Sequence, residues 1–319
     1  MKKILVDIAQ LTPAHRAAIS EAAARRGFAA VFCESREQAL AEAADAEIIF
    51  GPDVALPGAA PRLKWLCVPS AGAEAYLSPE IYASPEAVLT NSSGAYGVTI
   101  AEHIVMAALE LMRRQLDYDK VVAGRGWRRD LPIRSLRGSR IALLGAGDIG
   151  RTAARRLRGF EPASITGVNR SGKNPGEFDR VLPVSRLDEA LPETDLLVMS
   201  LPGTPETAGI MDARRLALLP EDTYLVNVGR GSAVDEAALA AMLRDGRLAG
   251  AALDVFETEP LPPDSPLWDC PRLLITPHVA GNMTLGYTVD RIVEMFLEDF
   301  DNYCDGRPLR RRVDRNKGY

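Results

Sequence analysis

Histidine is scarce in this chain, at three among 319 residues, and cysteine hardly commoner at four. Cys33, Cys67, Cys270 and Cys304 lack paired spacing, which argues against a disulfide framework and fits reduced thiols in a cytoplasmic protein. Cys33 and Cys67 read as core positions at strand ends, and no metal site is expected. Long apolar runs are also missing. The longest, Ile104 to Leu109, is far too short to cross a bilayer. There is no basic excess either: 38 Lys and Arg stand against 43 Asp and Glu, net -5. No global positive field therefore points to nucleic acid or an anionic membrane. The opening MKKILVDIAQ has two lysines, but its strand-like run is broken by Asp7, unlike a signal peptide. Neither an internal repeat nor a low-complexity tract occurs. What remains is 47% apolar and 25% charged, a globular composition, long enough for two domains each with its own core.

Glycine, in contrast, is placed with a pattern. Ile141 to Leu144 is an apolar run of strand length that ends in Gly145-Ala146-Gly147-Asp148-Ile149-Gly150. A helical stretch follows, then a second apolar run, Ile165 to Val168. Strand, glycine turn, helix and strand within about 30 residues is the context of a dinucleotide site. Gly145 allows the tight turn, Gly147 leaves room for a pyrophosphate, and Gly150 lets the helix close on the sheet. The pyrophosphate would sit on the N–H groups of the helix beginning near Asp148.

The first hundred residues repeat a β-then-α rhythm. Strands are predicted at Lys3 to Ile8, Ala29 to Cys33, Glu47 to Phe50, Lys64 to Val68 and Val88 to Thr90. Helices are predicted at Pro13 to Arg26, capped by Thr12, and at Glu37 to Ala44. Alternation of this kind implies a parallel sheet covered on both faces. In the loop Pro69-Ser70-Ala71-Gly72-Ala73, small residues leave backbone N–H groups open to an anion such as a carboxylate; a plain strand-to-helix turn fits equally well. Val98 to Arg114 reads as one long helix, apolar nearly all round and so buried on most sides. Gly124 to Arg137 reads as an exposed basic arm. Further strands are expected at Asp195 to Ser200, Tyr224 to Val228, Ala251 to Val255 and Leu273 to Thr276. A helix near Tyr287 to Tyr303 precedes a basic, mobile tail.

Three loops at the carboxyl ends of the later strands carry reactive residues, where ligands bind in open α/β sheets. Arg230 lies between two glycines and can aim a planar fork at a carboxylate. Glu259 lies in DVFETEP. His278 lies in TPHVAG, and an imidazole there suits proton donation to a carbonyl. His15 reads as solvated and His103 as a packed core or interface residue. Taken singly, each loop could be structural: an Arg capping carbonyls, a Glu on a turn, a His closing a loop.

Together, GAGDIG, NVGRGSAVDEAAL, ALDVFETEPLPPDSPLW and TPHVAG resemble the D-isomer-specific 2-hydroxyacid dehydrogenase family, from about Asn91 to Asn302 and less sharply before. The resemblance implies an α/β fold of two parallel-sheet domains. A Rossmann nucleotide-binding domain at 98–286 would be inserted in a flavodoxin-like substrate domain formed by 1–97 and 287–319. It implies reduction of a 2-oxo acid to a D-2-hydroxy acid, or the reverse. Arg230 would orient the 2-oxo acid, His278 would be the acid/base, and Glu259 would hydrogen-bond His278 and keep it loaded. Asp254 would face the nicotinamide amide, and Ser70, Ala71 and Gly72 would hold the substrate carboxylate. Gly145, Gly147, Asp148, Ile149 and Gly150 would line the cofactor, joined by Leu201, Pro202, Thr207, Val228 and Gly229. The resemblance also implies a homodimer through the nucleotide domain, where the Val98 helix and the Trp127 arm would supply apolar surface.

Three positions depart from the family pattern, one being Gly203, where a larger apolar residue is common. Ser200 stands where histidine is frequent, and Tyr96 where asparagine is common, so Tyr96 is expected to bear on substrate choice. A further feature concerns the dinucleotide. An NAD-preferring unit places a carboxylate about 20 residues past the glycines. This chain has Asn169, Arg170, Ser171 and Lys173 there, and no carboxylate before Glu177. The expectation is NADP, with NAD possible. Two alternatives share the fold: a dinucleotide-sensing corepressor, and a formate dehydrogenase, which Glu259 disfavours because glutamine is usual there.

Overall fold

A computed structural model describes residues 1–318 and divides the chain into two compact units. One is Met1–Tyr96 together with the chain from Met283 onward, and the other is Gly97–Asn282.

The first unit holds strands β1 (Lys2–Val6), β2 (Phe28–Phe32), β3 (Ile48–Phe50), β4 (Trp65–Cys67) and β5 (Val88–Thr90). They form one all-parallel sheet in the order β2-β1-β3-β4-β5. This is the flavodoxin-like order. Ile4, Leu5, Ile48, Ile49 and Leu66 are fully buried, as expected of strands covered on both faces. The helix Gly286–Cys304 closes one face with aromatic rings. Phe296 stacks on Phe50 at 4.2 Å between centroids and on Trp65 at 5.4 Å.

Two readings change in this unit. His15 is not solvated. Its Nδ1 accepts the Thr12 N–H at 3.2 Å, closing a capping box, and its Nε2 meets Asp290 at 2.8 Å. The basic stretch Arg311 to Val313 is not a loose tail either but packs on the sheet. Arg312 pairs antiparallel with Thr90, and Val313 N donates to Leu89 O at 2.9 Å. Beside it, Arg311 reaches Glu298 at 2.8 Å and the buried Asp299 at 3.2 Å. The open edge of β5 needs a partner and Asp299 needs a cation, and one segment supplies both.

The second unit holds β6 (Arg140–Leu144), β7 (Ser164–Asn169), β8 (Arg180–Pro183), β9 (Leu196–Met199), β10 (Tyr224–Asn227), β11 (Gly250–Leu253) and β12 (Leu273–Ile275). They too are all parallel, in the order β12-β11-β10-β9-β6-β7-β8. Counted from β6 this is the Rossmann order, extended by one strand. Its direction reverses between β6 and β9, so the loops after those strands flank the switch point. Strand β8 has no counterpart in the sequence reading, because four residues bounded by Arg180 and Pro183 carry little apolar pattern and sit at a sheet edge. The expected Val98–Arg114 helix is Gly97–Met112. A separate helix, Gln115–Ala123, follows after Arg114 turns left-handed at φ 60°. Ile100, Ala101, Ile104, Ala107, Ala108 and Leu111 of the first helix are buried, while Glu102 and Met106 are exposed.

Candidate active site

The glycine turn lies at the switch point. Gly145 has φ 111°, and a Cβ at Gly150 would meet the Gly145 carbonyl oxygen at 1.9 Å. Only glycine therefore lets the helix Asp148–Arg158 start this close to β6. Ser200, after β9, ties the two loops together by donating its Oγ to Gly145 O at 3.3 Å. A Cβ on Gly147 would have nothing within 4 Å, and no side chain caps the first turn of that helix. Open space before uncapped N–H groups suits a pyrophosphate. Ile149 is half-buried and Asp148 exposed.

At the end of β7, the Asn169 side chain organises the next turn. Its Oδ1 accepts from Gly172 N at 2.7 Å and Ser171 N at 3.1 Å, and its Nδ2 donates to Lys173 O at 2.9 Å. Arg170, Ser171 and Lys173 are exposed around this turn. Glu177 does not oppose them. Arg151 grips its carboxylate at 2.8 Å with Arg155 at 3.0 Å, and the Arg151 hydrogen bonds hold it below the usual carboxylate range. Across the switch point, Thr207 Oγ1 donates to Pro202 O at 2.6 Å and fixes the turn after Leu201.

Arg230 follows β10 in a loop braced by Asn227. The Asn227 Oδ1 accepts from Gly229 N at 3.0 Å and its Nδ2 donates to Arg230 O at 2.9 Å. Val228 and Gly229 are buried and Arg230 is half-exposed. A Cβ on Gly231 would meet the Phe256 carbonyl carbon at 1.8 Å. The Arg230 loop is thus pressed against the loop that carries Glu259.

Glu259 and His278 meet directly. Glu259 Oε2 lies 2.7 Å from His278 Nδ1, and Glu259 Oε1 accepts from Phe256 N at 2.9 Å. With Nδ1 taken, Nε2 is the nitrogen left to exchange a proton, and among the described residues it has no partner. His278 has φ 53°, a conformation in which a non-glycine residue is strained. It is held there because its N–H donates to Asp254 O at 2.8 Å.

Asp254 is buried, and its carboxylate organises the same loop. Oδ1 accepts from Thr276 Oγ1 at 2.6 Å and Val279 N at 2.9 Å, and Oδ2 from Ala280 N at 2.9 Å. Thr276 Oγ1 also lies 3.3 Å from His103 Nε2. Because the threonine proton goes to the carboxylate, His103 is the donor. Burial pulls the His103 imidazole below its ordinary pKa, against the opposing field of Asp254. Thr276 was missed from sequence, since only a partner identifies a threonine that ends a strand.

In the first unit, the loop after β4 has its carbonyls occupied and its N–H groups open. Ser70 Oγ donates to Gly72 O at 2.6 Å, Asn91 Nδ2 to Ala71 O at 2.6 Å and Ser92 N to Ser70 O at 2.8 Å. Tyr96 Oη donates to Pro69 O at 2.7 Å. Tyr96 is buried, and burial pushes its hydroxyl up to about 12, so it stays a donor at every working pH. Among the described residues, the N–H groups of Ser70, Ala71 and Gly72 have no acceptor. Free backbone donors on consecutive residues suit an anion such as a carboxylate.

The fold and these loops define a dinucleotide-binding α/β protein with a His–carboxylate pair at its ligand edge. Residues 105–280 match the family model described as D-isomer specific 2-hydroxyacid dehydrogenase, NAD binding domain. Glyoxylate/hydroxypyruvate reductase A of Salmonella typhimurium is 32% identical over 283 residues, 86% of this chain and 88% of that one. Among solved structures, a D-isomer specific 2-hydroxyacid dehydrogenase family protein from Aeromonas salmonicida superposes with TM-score 0.87 at 31% identity, covering 99% of this chain and 100% of that one. An NADPH-dependent glyoxylate/hydroxypyruvate reductase from Sinorhizobium meliloti, in complex with NADP and sulfate, gives 0.83 at 27% identity, with both chains covered in full. The chain belongs to the D-isomer specific 2-hydroxyacid dehydrogenase family.

Proposed function

We propose that this protein reduces a small 2-oxo acid of the glyoxylate or hydroxypyruvate kind to its 2-hydroxy acid, with NADPH preferred over NADH. The observation that carries this reading is the 2.7 Å pair of Glu259 and His278. Gly97–Asn282 is the dinucleotide-binding unit and the other unit binds the substrate carboxylate through Ser70, Ala71 and Gly72. The nicotinamide supplies the hydride. Gly147 and the helix at Asp148 receive the pyrophosphate, with Leu201, Pro202, Thr207, Val228 and Gly229 around the remainder. Arg170, Ser171 and Lys173 neutralise and hydrogen-bond a 2′-phosphate.

His278 donates its Nε2 proton to the carbonyl oxygen as negative charge grows there, while Glu259 stabilises the charged imidazole through Nδ1. Arg230 grips the substrate carboxylate or carbonyl with its planar fork. Asp254 holds the His278 loop and would face the nicotinamide amide. We further propose a cytoplasmic homodimer formed through the second unit, in which Trp127 is 91% exposed and Val122 69%. Its four free cysteines suit a reducing compartment. Sedimentation should give a dimer, and Trp127→Glu a monomer.

The activity test follows nicotinamide absorbance with glyoxylate, hydroxypyruvate, pyruvate and bulkier 2-oxo acids, using both cofactors. Expected is turnover of the small acids with higher kcat/KM for NADPH, and a selective loss with NADPH in Arg170→Ala. Equal or better use of NADH overturns the cofactor assignment. Tight cofactor binding without turnover of any acid would make the chain a dinucleotide sensor.

A further inference from the structure

Glu236 takes no part in the chemistry just described, yet it holds the turn that carries Glu259. It is the first residue of the helix Glu236–Arg244, whose cap is Asp235. A first-turn glutamate ordinarily faces solvent and the helix dipole. This one is half-buried, and its Oε1 accepts the N–H of Glu257 at 2.7 Å. Glu257 lies in the turn whose Phe256 N–H holds Glu259. The carboxylates of Glu236, Glu257 and Glu259 are thereby near enough to act on one another, and Glu259 is the one paired with His278.

We infer that Glu236 is a positioning residue for the proposed reduction. It tethers the 256–259 turn through Glu257 N–H and adds a second negative charge behind the Glu259–His278 pair.

Two consequences separate a charge put to use from a mere tether. Burial first, then the fields of Glu257 and Glu259, raise the Glu236 carboxyl above its usual pKa, against the Glu257 hydrogen bond. A carboxyl raised in the folded state contributes stability that is fully present below its unfolded pKa. That stability is lost as pH rises through the folded value. At neutral pH the ionised Glu236 is therefore a burden on the fold, and such burdens gather where function uses them. The second consequence concerns His278. A negative charge behind Glu259 favours the protonated imidazole, so removing it should empty the proton donor at lower pH.

The inference rests on the proposed reductase reading, and the experiment separates the two. Wild-type protein that turns over no 2-oxo acid defeats that reading. Given an active wild type, Glu236→Gln keeps an acceptor for Glu257 N–H and removes only the charge. Its alkaline limb for reduction should move to lower pH, a loss of about twofold on that side, with kcat on the plateau nearly unchanged. Cofactor-free Glu236→Gln should also melt above wild type at neutral pH, the gain fading toward acid pH where wild-type Glu236 is protonated. Glu236→Ala loses the tether as well, and its plateau kcat should fall several-fold. A Glu236→Gln pH profile that overlays wild type overturns the inference, whatever its melting temperature. So does a Glu236→Gln protein less stable than wild type at neutral pH, since the charge would then be serving the fold.

Discussion

Arg230 and His278 reach the ligand edge by different means, and their variants should fail differently. Arg230 is set by the Asn227 brace and by the contact of Gly231 with Phe256, so its backbone is fixed before any substrate arrives. Arg230→Lys keeps the charge but replaces a fork by a point. Both KM and kcat should worsen, with kcat/KM down about a hundredfold; near-normal kinetics would make the arginine structural. His278→Gln should leave dinucleotide affinity within about twofold while kcat drops by ~10² to 10⁴. Retention of a tenth of the wild-type kcat would remove His278 from the role of proton donor. Tyr96 differs from both. Its hydroxyl is committed to Pro69 O, so it bears on the substrate through the loop it holds. Tyr96→Phe should raise KM for the 2-oxo acid several-fold with kcat nearly kept. A changed preference among acids at constant KM would instead place Tyr96 in the pocket wall.

At the scale of elements, close backbone approach decides most of the site. Gly231→Ala puts a Cβ where the Phe256 carbonyl carbon already lies, at 1.8 Å. Backbone on both sides must move, and a displacement of about 1 Å near reacting groups costs ~10² in rate. The measurement is kcat beside the near-ultraviolet circular dichroism spectrum. Wild-type kcat in a folded variant would show that the Arg230 loop tolerates displacement.

Such elements were legible in the sequence where the pattern is local. The turn Gly145 to Gly150 announced itself because glycine spacing, strand and helix all fall within one short segment. At Asn169 to Lys173 the sequence showed which side chains follow the strand, but not that Asn169 itself builds the turn. Contacts between distant segments left less trace. Thr276 and Asp254 lie 22 residues apart and Glu236 and Glu257 21 apart, and nothing in either pattern alone pairs them. Strand β8 and the break at Arg114 escaped because each depends on edge placement or a single left-handed residue.

For the whole molecule, the consequence lies in how the chain ends. The first unit is discontinuous, and its sheet is finished only by residues near the C-terminus. Arg312 pairs with Thr90 at the free edge of β5, and Arg311 answers the carboxylate of Asp299, whose side chain is 3% exposed. Arg310 N adds a hydrogen bond to the same carboxylate at 2.8 Å. A chain ending at residue 309 would lose all three at once, leaving Asp299 buried without a cation and the outer edge of β5 unpaired. Removing one partner of a buried pair typically costs about 3 to 5 kcal/mol. The truncated protein should therefore unfold at distinctly lower temperature, and its first unit should unfold before its second. Trp65 is fully buried in the first unit, whereas Trp127 and Trp268 are exposed in the other. The blue part of the tryptophan emission therefore reports the first unit alone, and far-ultraviolet circular dichroism follows both. Expected is an early loss of the blue emission while part of the helical signal persists. Arg311→Met should reproduce a share of the effect with the backbone pairing kept. If truncation at 309 leaves the melting temperature within about a degree of wild type, the terminal segment lies along β5 without stabilising it, and Asp299 tolerates its charge alone.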